Sequence, residues 1–365
     1  MFSPGAAMLG PFKMAALADL VAAALIERDT SGDVLWTWSY PSVSPQQRDL
    51  LTRKSQLAAD PANTPSFMYG QWQRQWYYIK SAQVQEGDPL PKVTHFSLVI
   101  VSKDFNPEKY ETFSRILCKA YSRTGSPAAM LQFYLAVVTR GSCQSEENGT
   151  FLVKEFDPRK AYATGSVKDI VNRFGVESIL IYTAILLKKK LVIYHPYLDG
   201  LLETVRAFPA FVWHRQNWTI LYTNVDLVEE ELEDLKSSGH YIAGFTDPMV
   251  ESRTDLYDVF VNLSDGEISV AAHAKESMAM GKIHKDIAMA MVQCAEDDGM
   301  ENQQVIKEIA KKTKELLNKV KSLATPAEEG GKPLITLDAL RERKMAPANE
   351  NFLFSLAAAE GLAEL

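Results

Sequence analysis

The sequence predicts an α/β protein with two lobes, and three observations support this prediction. The chain has 365 residues, which is enough for two domains that each bury a core of their own. Helical and strand patterns are mixed along both halves. Near the middle, a helix pattern without a polar face, 177–189, runs directly into a short β-branched strand, 191–194. A helix of that kind belongs inside the core of a mixed domain.

The apolar stretch at 177–189 is not expected to cross a membrane. Its unbroken apolar run, 179–187, contains Tyr182 and Thr183 and is shorter than the roughly 18 to 20 residues that a span needs. The lysines 188–190 follow it, where the dipole of a helix favours cations. We therefore expect no transmembrane segment, and membrane association that is peripheral at most.

The first lobe is predicted to occupy residues 14–140. Its elements are strands at 21–27 and 34–40, a helix that Ser44 caps and Pro45 opens, a long aromatic strand region at 67–84, a strand at 95–101, and helices at 107–121 and 126–138. Residues 1–13 show no periodicity and precede an alternative start at Met14. They are expected to be a disordered extension.

The stretch 141–149 is the most loop-like part of the middle region, and it opens a predicted linker, 141–165. The second lobe is predicted to occupy residues 166–365. Its elements are helices at 167–174 and 177–189, the strand 191–194, an acidic helix at 229–236, a strand at 241–245, a hairpin of 258–263 with 267–271 around Asp265-Gly266, and a largely helical region after 275.

Composition narrows the class of protein. A hydrophobic content of 46% with 23% charged residues describes a globular chain. The net charge of -7 argues against nucleic-acid binding, which needs a basic surface. Cys118, Cys143 and Cys294 match no disulfide or metal spacing, so we expect free thiols in a reducing compartment and hence a cytoplasmic protein.

Motifs for covalent chemistry are absent from the sequence. No GxGxxG follows a strand, and no GxxxxGK[ST], GxSxG or HExxH occurs. His273 and His284 are too far apart in sequence to form a one-turn metal pair. We therefore expect no catalytic residue, no cofactor and no metal site.

Two charged clusters have both a structural and a functional interpretation. The acidic cluster could bind a basic partner or a cation, although a solvated helix face is more usual; it contains Glu229, Glu230, Glu231, Glu233 and Asp234. The lysine cluster could bind an anionic membrane, although packing of its apolar stripe with the lysines outward is more usual. It contains lysines 307, 311, 312, 314, 319 and 321, and the stripe contains Ile306, Ile309, Thr313, Leu316, Leu317 and Val320.

An aromatic cluster is the third candidate surface. Trp, Tyr and Arg are enriched at the energetic centres of protein interfaces. Alternation along a strand buries one half of such a cluster and leaves the other half as a candidate binding surface. The cluster contains Trp72, Arg74, Trp76, Tyr77 and Tyr78.

Four consecutive segments resemble the central module of DENN-domain proteins. They are FGVESILIYTAILLKKKLVIYHP, VRAFPAFVWHRQNWTILYTNV, LKSSGHYIAGFTDP and LYDVFVNLSDGEIS, in this order along 174–269. The element order of the first half is similar to the longin-type lobe that precedes this module in the family. The resemblance covers almost the whole chain from Met14, and the ordered series is more specific than any single segment.

The resemblance implies guanine-nucleotide exchange on a Rab-type small GTPase in late endosomal or endocytic vesicle trafficking. It implies two lobes that clasp the switch regions of the GTPase, and a cytoplasmic protein recruited to late endosomes. The residues that bind the GTPase are not identified by any motif. The alternatives are a non-catalytic adaptor subunit of an endosomal sorting or recycling complex and, less favoured, a metabolic enzyme.

Overall fold

The chain forms two compact units in a computed structural model, Met1–Ala161 and Tyr162–Leu365. The structure describes residues 19–59, 64–145, 149–324 and 334–363. The division between the units falls inside 141–165, the segment that was expected to join two lobes. The expected extension 1–13 and Met14 lie outside the described residues.

From β1 to α3, the first unit has the element order that the sequence predicts. Its elements are β1 (Leu20–Asp29), β2 (Val34–Tyr40), α1 (Pro45–Lys54), β3 (Phe67–Trp72), β4 (Gln75–Gln83), β5 (Val93–Ser102), α2 (Pro107–Thr124), α3 (Pro127–Arg140), β6 (Ser142–Ser145) and β7 (Gly149–Leu152), and α4 (Pro158–Ala163) crosses the division. The strands β1 to β5 form an antiparallel sheet in the order β2-β1-β5-β4-β3.

Side-chain caps fix where the helices of the first unit begin. Ser44 accepts a hydrogen bond from the backbone N–H of Gln47 at 3.1 Å, with proline at the first helical position, as predicted. Asn106 and Ser126 cap α2 and α3 in the same way. Because each cap satisfies an otherwise free N–H group, these polar residues stabilise the helix starts.

Two segments of the first unit differ from the prediction. The aromatic region 67–84 is a hairpin, because Gln73 and Arg74 adopt left-handed backbone angles and turn the chain between β3 and β4. The loop-like stretch 141–149 contains β6 and the start of β7, which pair antiparallel. The hydroxyl, thiol and amide side chains there suggested a loop, but the backbone pairs nonetheless.

The second unit contains helices around a second sheet. Its elements after α4 are α5 (Val167–Phe174), α6 (Ser178–Leu186), β8 (Lys190–Tyr194), α7 (Leu198–Val205), β9 (Leu221–Tyr222), α8 (Glu229–Ser237), β10 (Tyr241–Phe245), β11 (Val259–Asn262), β12 (Glu267–Val270), α9 (Lys282–Glu296), α10 (Asn302–Ser322), α11 (Leu337–Arg341) and α12 (Pro347–Ala359). The sheet order is β12-β11-β8-β10-β9.

Four strands of the second sheet are parallel, and the fifth forms the predicted hairpin. β11, β8, β10 and β9 run in one direction, whereas β12 is antiparallel to β11. Gly266 supplies the left-handed backbone angle of the turn. The prediction of a mixed α/β protein is therefore confirmed.

The helix α6 is buried, as its apolar composition predicts. Its side chains are buried on all sides apart from half-buried Leu180, and the Tyr182 hydroxyl bonds Thr313 of α10 at 3.0 Å. Burial raises the pKa of Tyr182 to about 12. In the described part of the chain, no helix is both long and apolar enough to span a bilayer.

The end of α6 lies earlier than predicted. The pattern suggested a helix to residue 189, with lysines at its negative end, but the helix ends at Leu186. Lys188 adopts a left-handed backbone angle, and Lys190 already belongs to β8. Arg215 provides the expected cation by donating to the carbonyls of Ile185 and Leu186.

Candidate functional site

The carboxyl ends of the parallel strands meet at one edge of the second sheet, which we call the carboxyl edge. In open α/β sheets this is the usual place for binding sites. It is formed by the loops that follow four strands: 194–199 after β8, 222–226 after β9, 245–251 after β10 and 262–266 after β11. The loops after β8 and β10 are adjacent, because their strands pair directly.

The loop after β8 exposes Tyr197 on a constrained backbone. The Nδ1 atom of His195 lies 3.1 Å from the backbone N of Tyr197 and accepts its hydrogen. The backbone N–H of His195 donates to the carbonyl of Phe245 in β10. Gly200 permits this packing, since a Cβ atom there would lie 2.5 Å from the His195 ring. The Tyr197 side chain is 74% exposed.

The loop after β10 exposes Met249 in a similar way. Asp247 accepts a hydrogen bond from the Met249 backbone N–H at 2.9 Å and caps a short helix. The Tyr257 hydroxyl donates to the carbonyl of Glu251 at 2.6 Å. Burial, together with the nearby Glu251 carboxylate, raises the pKa of Tyr257, so the hydroxyl stays protonated and donates. Met249 is 64% exposed.

The two remaining loops use their polar groups in contacts within the second unit. Asn262 accepts from the backbone N–H groups of Ser264 and Asp265, and its amide donates to the Asp265 carboxylate. After β9, the backbone N–H of Asp226 donates to Glu231 of α8 at 3.0 Å. These contacts fix the loops, and they leave Tyr197 and Met249 as the prominent exposed side chains of the carboxyl edge.

The carboxyl edge is acidic. Its four loops contain five carboxylates and no lysine or arginine of their own: Asp199, Asp226, Asp247, Glu251 and Asp265. Arg173 of α5 is a cation that contacts the loop after β11, where it donates to the carbonyl of Leu263. The carboxylates do not converge on a metal site. No group of three or more His, Cys, Asp or Glu side chains could hold a metal ion in residues 19–59, 64–145, 149–324 and 334–363. Apolar anchors within an acidic surface suit a protein partner with a basic surface.

The aromatic cluster predicted from the sequence is not a binding surface. Trp72, Trp76, Tyr77 and Tyr78 are all buried, and only Arg74 is exposed. Alternation fails as a guide because both faces of the central part of the sheet are covered. The cluster instead builds the core of the first unit, where Trp76 packs on Phe105 and Tyr78 stacks on Tyr110.

The two charged helices follow their structural interpretations. In α10, the predicted apolar stripe is buried apart from half-buried Leu317, and the six lysines are exposed. In α8, Glu231 is buried, whereas Glu229 and Glu233 are exposed. The solvated face is thus confirmed in part, and Glu231 has the local role of holding Asp226.

The histidines and cysteines have structural roles. Buried His284 accepts the Gly281 N–H at the start of α9, and burial lowers its pKa to about 4. Exposed His273 pairs with Asp258 at 3.1 Å. The three cysteines are free. Burial raises the pKa of the Cys118 thiol to about 12 and that of Cys143 to about 11, so neither is a ready nucleophile.

A cavity of the second unit lies beside the end of α12. It has a volume of about 700 Å³ and is lined by residues that include Lys188, Arg215, His240 and Glu360. Arg215 is committed to Glu360 and to two backbone carbonyls. Burial, aided by Lys188 and Arg215, lowers the pKa of His240. Arg215 and Glu360 therefore have a structural role in this cavity.

Known proteins resemble this chain over nearly its full length. The family profile described as "Stabilization of polarity axis" matches residues 164–272. Over 341 residues, the chain is 51% identical to "DENN domain-containing protein 10" of Danio rerio, and the match covers 93% of this chain and 97% of that protein. The Mus musculus protein of the same name is 50% identical, with 92% and 94% covered. The chain belongs to the DENN domain-containing protein 10 family.

The family extends to distant organisms. A Dictyostelium discoideum protein of the same name is 38% identical, with 93% of this chain and 96% of that protein covered. The DENN resemblance predicted for 174–269 is thereby confirmed. The profile match at 164–272 includes β8 to β12, so all four loops of the carboxyl edge lie inside the part that this DENN-family chain shares with the profile.

Proposed function

We propose that this DENN-family protein is a guanine-nucleotide exchange factor for a Rab-type small GTPase in late endosomal or endocytic trafficking. The first unit would be the longin-like lobe and the second the DENN lobe. Family membership supports a role of this kind. The observation that carries the proposal is the carboxyl edge, where exposed Tyr197 and Met249 stand on adjacent loops within an acidic surface.

The exchange reaction needs differential binding and no covalent step. An exchange factor accelerates release by binding the opened, nucleotide-free GTPase more tightly than the closed one. Weakening nucleotide affinity from nanomolar to micromolar requires roughly 4 kcal/mol. A few apolar anchors in a protein interface supply about this much.

The acidic charge of the carboxyl edge suits the nucleotide-free state. A lysine and Mg²⁺ neutralise the phosphates of a bound nucleotide in P-loop GTPases. When the nucleotide leaves, that lysine loses its counter-charge. Carboxylates such as Asp199, Asp247 and Glu251 can replace it, whereas they would repel the bound phosphates. The carboxyl edge would therefore favour the opened GTPase.

Release of fluorescent GDP from a panel of Rab proteins tests this proposal. At catalytic ratios, the protein should accelerate release from at least one Rab by tenfold or more. Tyr197→Ala combined with Met249→Ala should abolish most of that acceleration. Met289→Ala is the matched control, since Met289 is a similarly exposed apolar residue that belongs to α9 and to none of the four loops. No acceleration on any Rab, or equal loss in the control, would contradict the proposal.

A non-catalytic adaptor role is the second candidate, and one observation favours it. The first unit has its own exposed apolar residues, Leu35, Tyr40 and Leu135, which the carboxyl edge does not use. A protein that links partners within an endosomal sorting complex needs such additional surfaces. Stable Rab binding with an unchanged GDP release rate would support the adaptor role over exchange.

We further propose a cytoplasmic protein that reaches late endosomes through its partners. This fits the free cysteines and the absence of a membrane-crossing helix from the described residues. Imaging of the tagged full chain, with and without the Tyr197→Ala and Met249→Ala changes, would test whether the carboxyl edge recruits it. If the late-endosomal signal of the substituted chain equals that of the unsubstituted chain, recruitment depends on another surface.

A further inference from the structure

The exposed apolar side chains of the first unit gather at one corner of its sheet. Leu35 and Tyr40 lie on the edge strand β2, and Leu135 lies on α3; they are 51%, 42% and 37% exposed. Trp38, also on β2, is half-buried. Single exposed apolar residues are ordinary, but a contiguous group marks an interaction surface.

The register of β2 with β1 places three of these side chains on one face of the sheet. Residues that are directly opposite share a face, and so do alternate residues along a strand. Three residues of β2 pair with alternate residues of β1: Leu35 with Glu27, Trp38 with Leu25, and Tyr40 with Ala23.

An irregularity in the pairing sends Trp36 to the other face. The register shifts between Leu25 and Ile26, so Thr37 is an extra residue, and Trp36 pairs with Ile26. Trp36 accordingly lines a cavity with residues of α1. Without the bulge, Trp36 and Trp38 would lie on the same face of the sheet. If both faced α1, the opposite face of β2 would have neither tryptophan.

Contacts with α2 and α3 identify the face that carries Leu35, Trp38 and Tyr40. The Tyr40 ring meets the ring of Tyr134 in α3 edge-on, with centroids 6.1 Å apart. The Tyr121 hydroxyl of α2 donates to Glu27. The exposed side chains of β2 therefore lie beside α3, in the same layer as the two helices.

The helix α3 has a second apolar stripe that faces this corner. Its buried stripe consists of Met130, Tyr134 and Val137. Leu131, Leu135 and Val138 repeat the same spacing one position later and are half-buried or exposed. On the opposite flank, Phe133, Ala136 and Arg140 line a cavity with β6 and β7. The stripe of Leu131, Leu135 and Val138 is thus on the side toward β2.

Among the residues that the structure describes, the helix layer on this face does not extend over the whole sheet. α2 packs on β4 and β5, and α3 packs on β1. Strands lie about 4.8 Å apart, and packed helices lie about 8–10 Å apart, so one helix covers roughly two strands. β2 at the edge would need a third helix. The corner surface, formed by Leu35, Trp38, Tyr40, Leu131, Leu135 and Val138, is the vacant position beside α3.

We propose that an amphipathic α-helix of a partner protein docks on the corner surface as the third helix of this layer. None of the six side chains is charged, and Glu27 beneath them is hydrogen-bonded by Tyr121. A charge on the contacting face of the partner would lose its water without gaining a partner charge. The docked face therefore carries apolar residues at helical spacing, i, i+3 or i+4, and i+7.

The size of the corner surface favours a helix over a second copy of this chain. Half-exposed leucine and aromatic side chains give it roughly 400 Å². A stable dimer interface buries about 800 Å² on each partner, about twice as much. One helix face matches the smaller area. The docking holds whether or not the protein exchanges nucleotide, since it uses none of the carboxyl edge.

Selection of helical peptides on the full chain tests this inference. A phage-displayed library of 18-residue amphipathic helices, randomised on the apolar face, would be selected for binding to the full chain. Fluorescence polarisation would then measure the Kd of the most enriched peptide. Selected peptides should carry leucine-like residues at i, i+3 or i+4, and i+7. Leu35→Lys and Leu135→Glu should each raise the Kd at least tenfold.

Matched controls keep this test decisive. Met289→Glu introduces the same charge as Leu135→Glu, on an exposed helix position of the second unit, and should leave the Kd unchanged. Unchanged melting temperatures would show that Leu35→Lys and Leu135→Glu still fold. The inference is overturned by absence of a peptide that these variants discriminate, or by selected peptides with alternating strand-like apolar residues. It is equally overturned if the protein forms a dimer that Leu135→Glu dissociates. It is also overturned if deletion of residues 1–18 raises the affinity for the selected peptide tenfold.

Discussion

Arg215 binds the carboxylate of Glu360 through both Nε and Nη2, at 3.2 and 2.5 Å. His214 reaches the same carboxylate oxygen at 3.2 Å. The other guanidinium contacts of Arg215 are with the carbonyls of Ile185 and Leu186 at the end of α6. A residue that follows α12 is thereby tied to the most buried helix of the second unit.

Glu360→Gln should lower the free energy of unfolding by roughly 1.5–3 kcal/mol, the range for hydrogen bonds to charged groups. The guanidinium would keep a neutral acceptor in place of a carboxylate. Urea unfolding measures the difference. Glu315→Gln is the matched control, because Glu315 is exposed and pairs only at the surface with Lys312. A control effect as large as that of Glu360→Gln would contradict the assigned role.

Acid should remove the contribution of Glu360. Burial alone would raise the pKa of this carboxyl, but hydrogen bonds from His214 and Arg215 and their charges outweigh burial and lower it from 4.5 to about 2. A folded pKa below the unfolded one stabilises the fold above pH 4.5, and this stabilisation is lost as the pH falls toward 2. The difference in melting temperature between wild type and Glu360→Gln should shrink over that range. A constant difference would contradict the pKa.

Gly165→Ala should destabilise the second unit by roughly 1–3 kcal/mol, the usual cost of overpacking. A Cβ atom at Gly165 would lie 2.7 Å from the Cα of Ala207, which is backbone and cannot move aside. Gly239→Ala is the control, since a Cβ atom there meets nothing within 4 Å. Urea denaturation of both variants checks the prediction, and equal midpoints would refute it.

Local sequence signals predicted most elements, because they act within a few residues. The cap of Ser44, the turn at Gly266 and the apolar composition of α6 each depend on nearby chemistry. The predicted end of α6 was wrong because Arg215, a residue far along the chain, donates to the carbonyls that the lysines were expected to neutralise. Strand pairing at 141–149 was missed for the same reason, since it depends on a partner and not on composition.

Surfaces were harder to predict than elements. Trp76 and Tyr78 looked like interface residues, but consecutive side chains of β4 are buried, so both faces of the sheet are covered there. Leu35 and Tyr40 lie in an ordinary strand pattern, and only the position of β2 at the sheet edge exposes them. Whether a strand lies at the edge or in the centre of a sheet depends on the topology. The residue pattern of a single strand does not contain this information. Tyr197 and Met249 could have been found from the sequence. Each directly follows a proline shortly after a strand and precedes an apolar residue and then an acidic one.

His284→Gln should make the protein less sensitive to mild acid. Burial lowers the pKa of His284 from 6.5 to about 4. Between these values the unfolded chain binds a proton that the folded chain does not, so wild type should lose roughly 2–3 kcal/mol as the pH falls from 6.5 to 4. Glutamine keeps an acceptor for the N–H of Gly281 but cannot titrate.

Urea unfolding of both proteins at pH 7, 5.5 and 4.5 measures this effect. The unfolding free energy of wild type should fall further than that of the variant as the pH falls, because only wild type has this titrating group. Other titrating residues are present in both proteins and cancel in the difference. Glu360 is present in both proteins and loses its contribution mainly below pH 4.5, so the two effects separate at the three measured pH values. Parallel pH profiles would contradict the prediction. They would show that His284 takes up its proton in the folded protein, packed against Phe352 of α12 with the two ring centroids 4.1 Å apart.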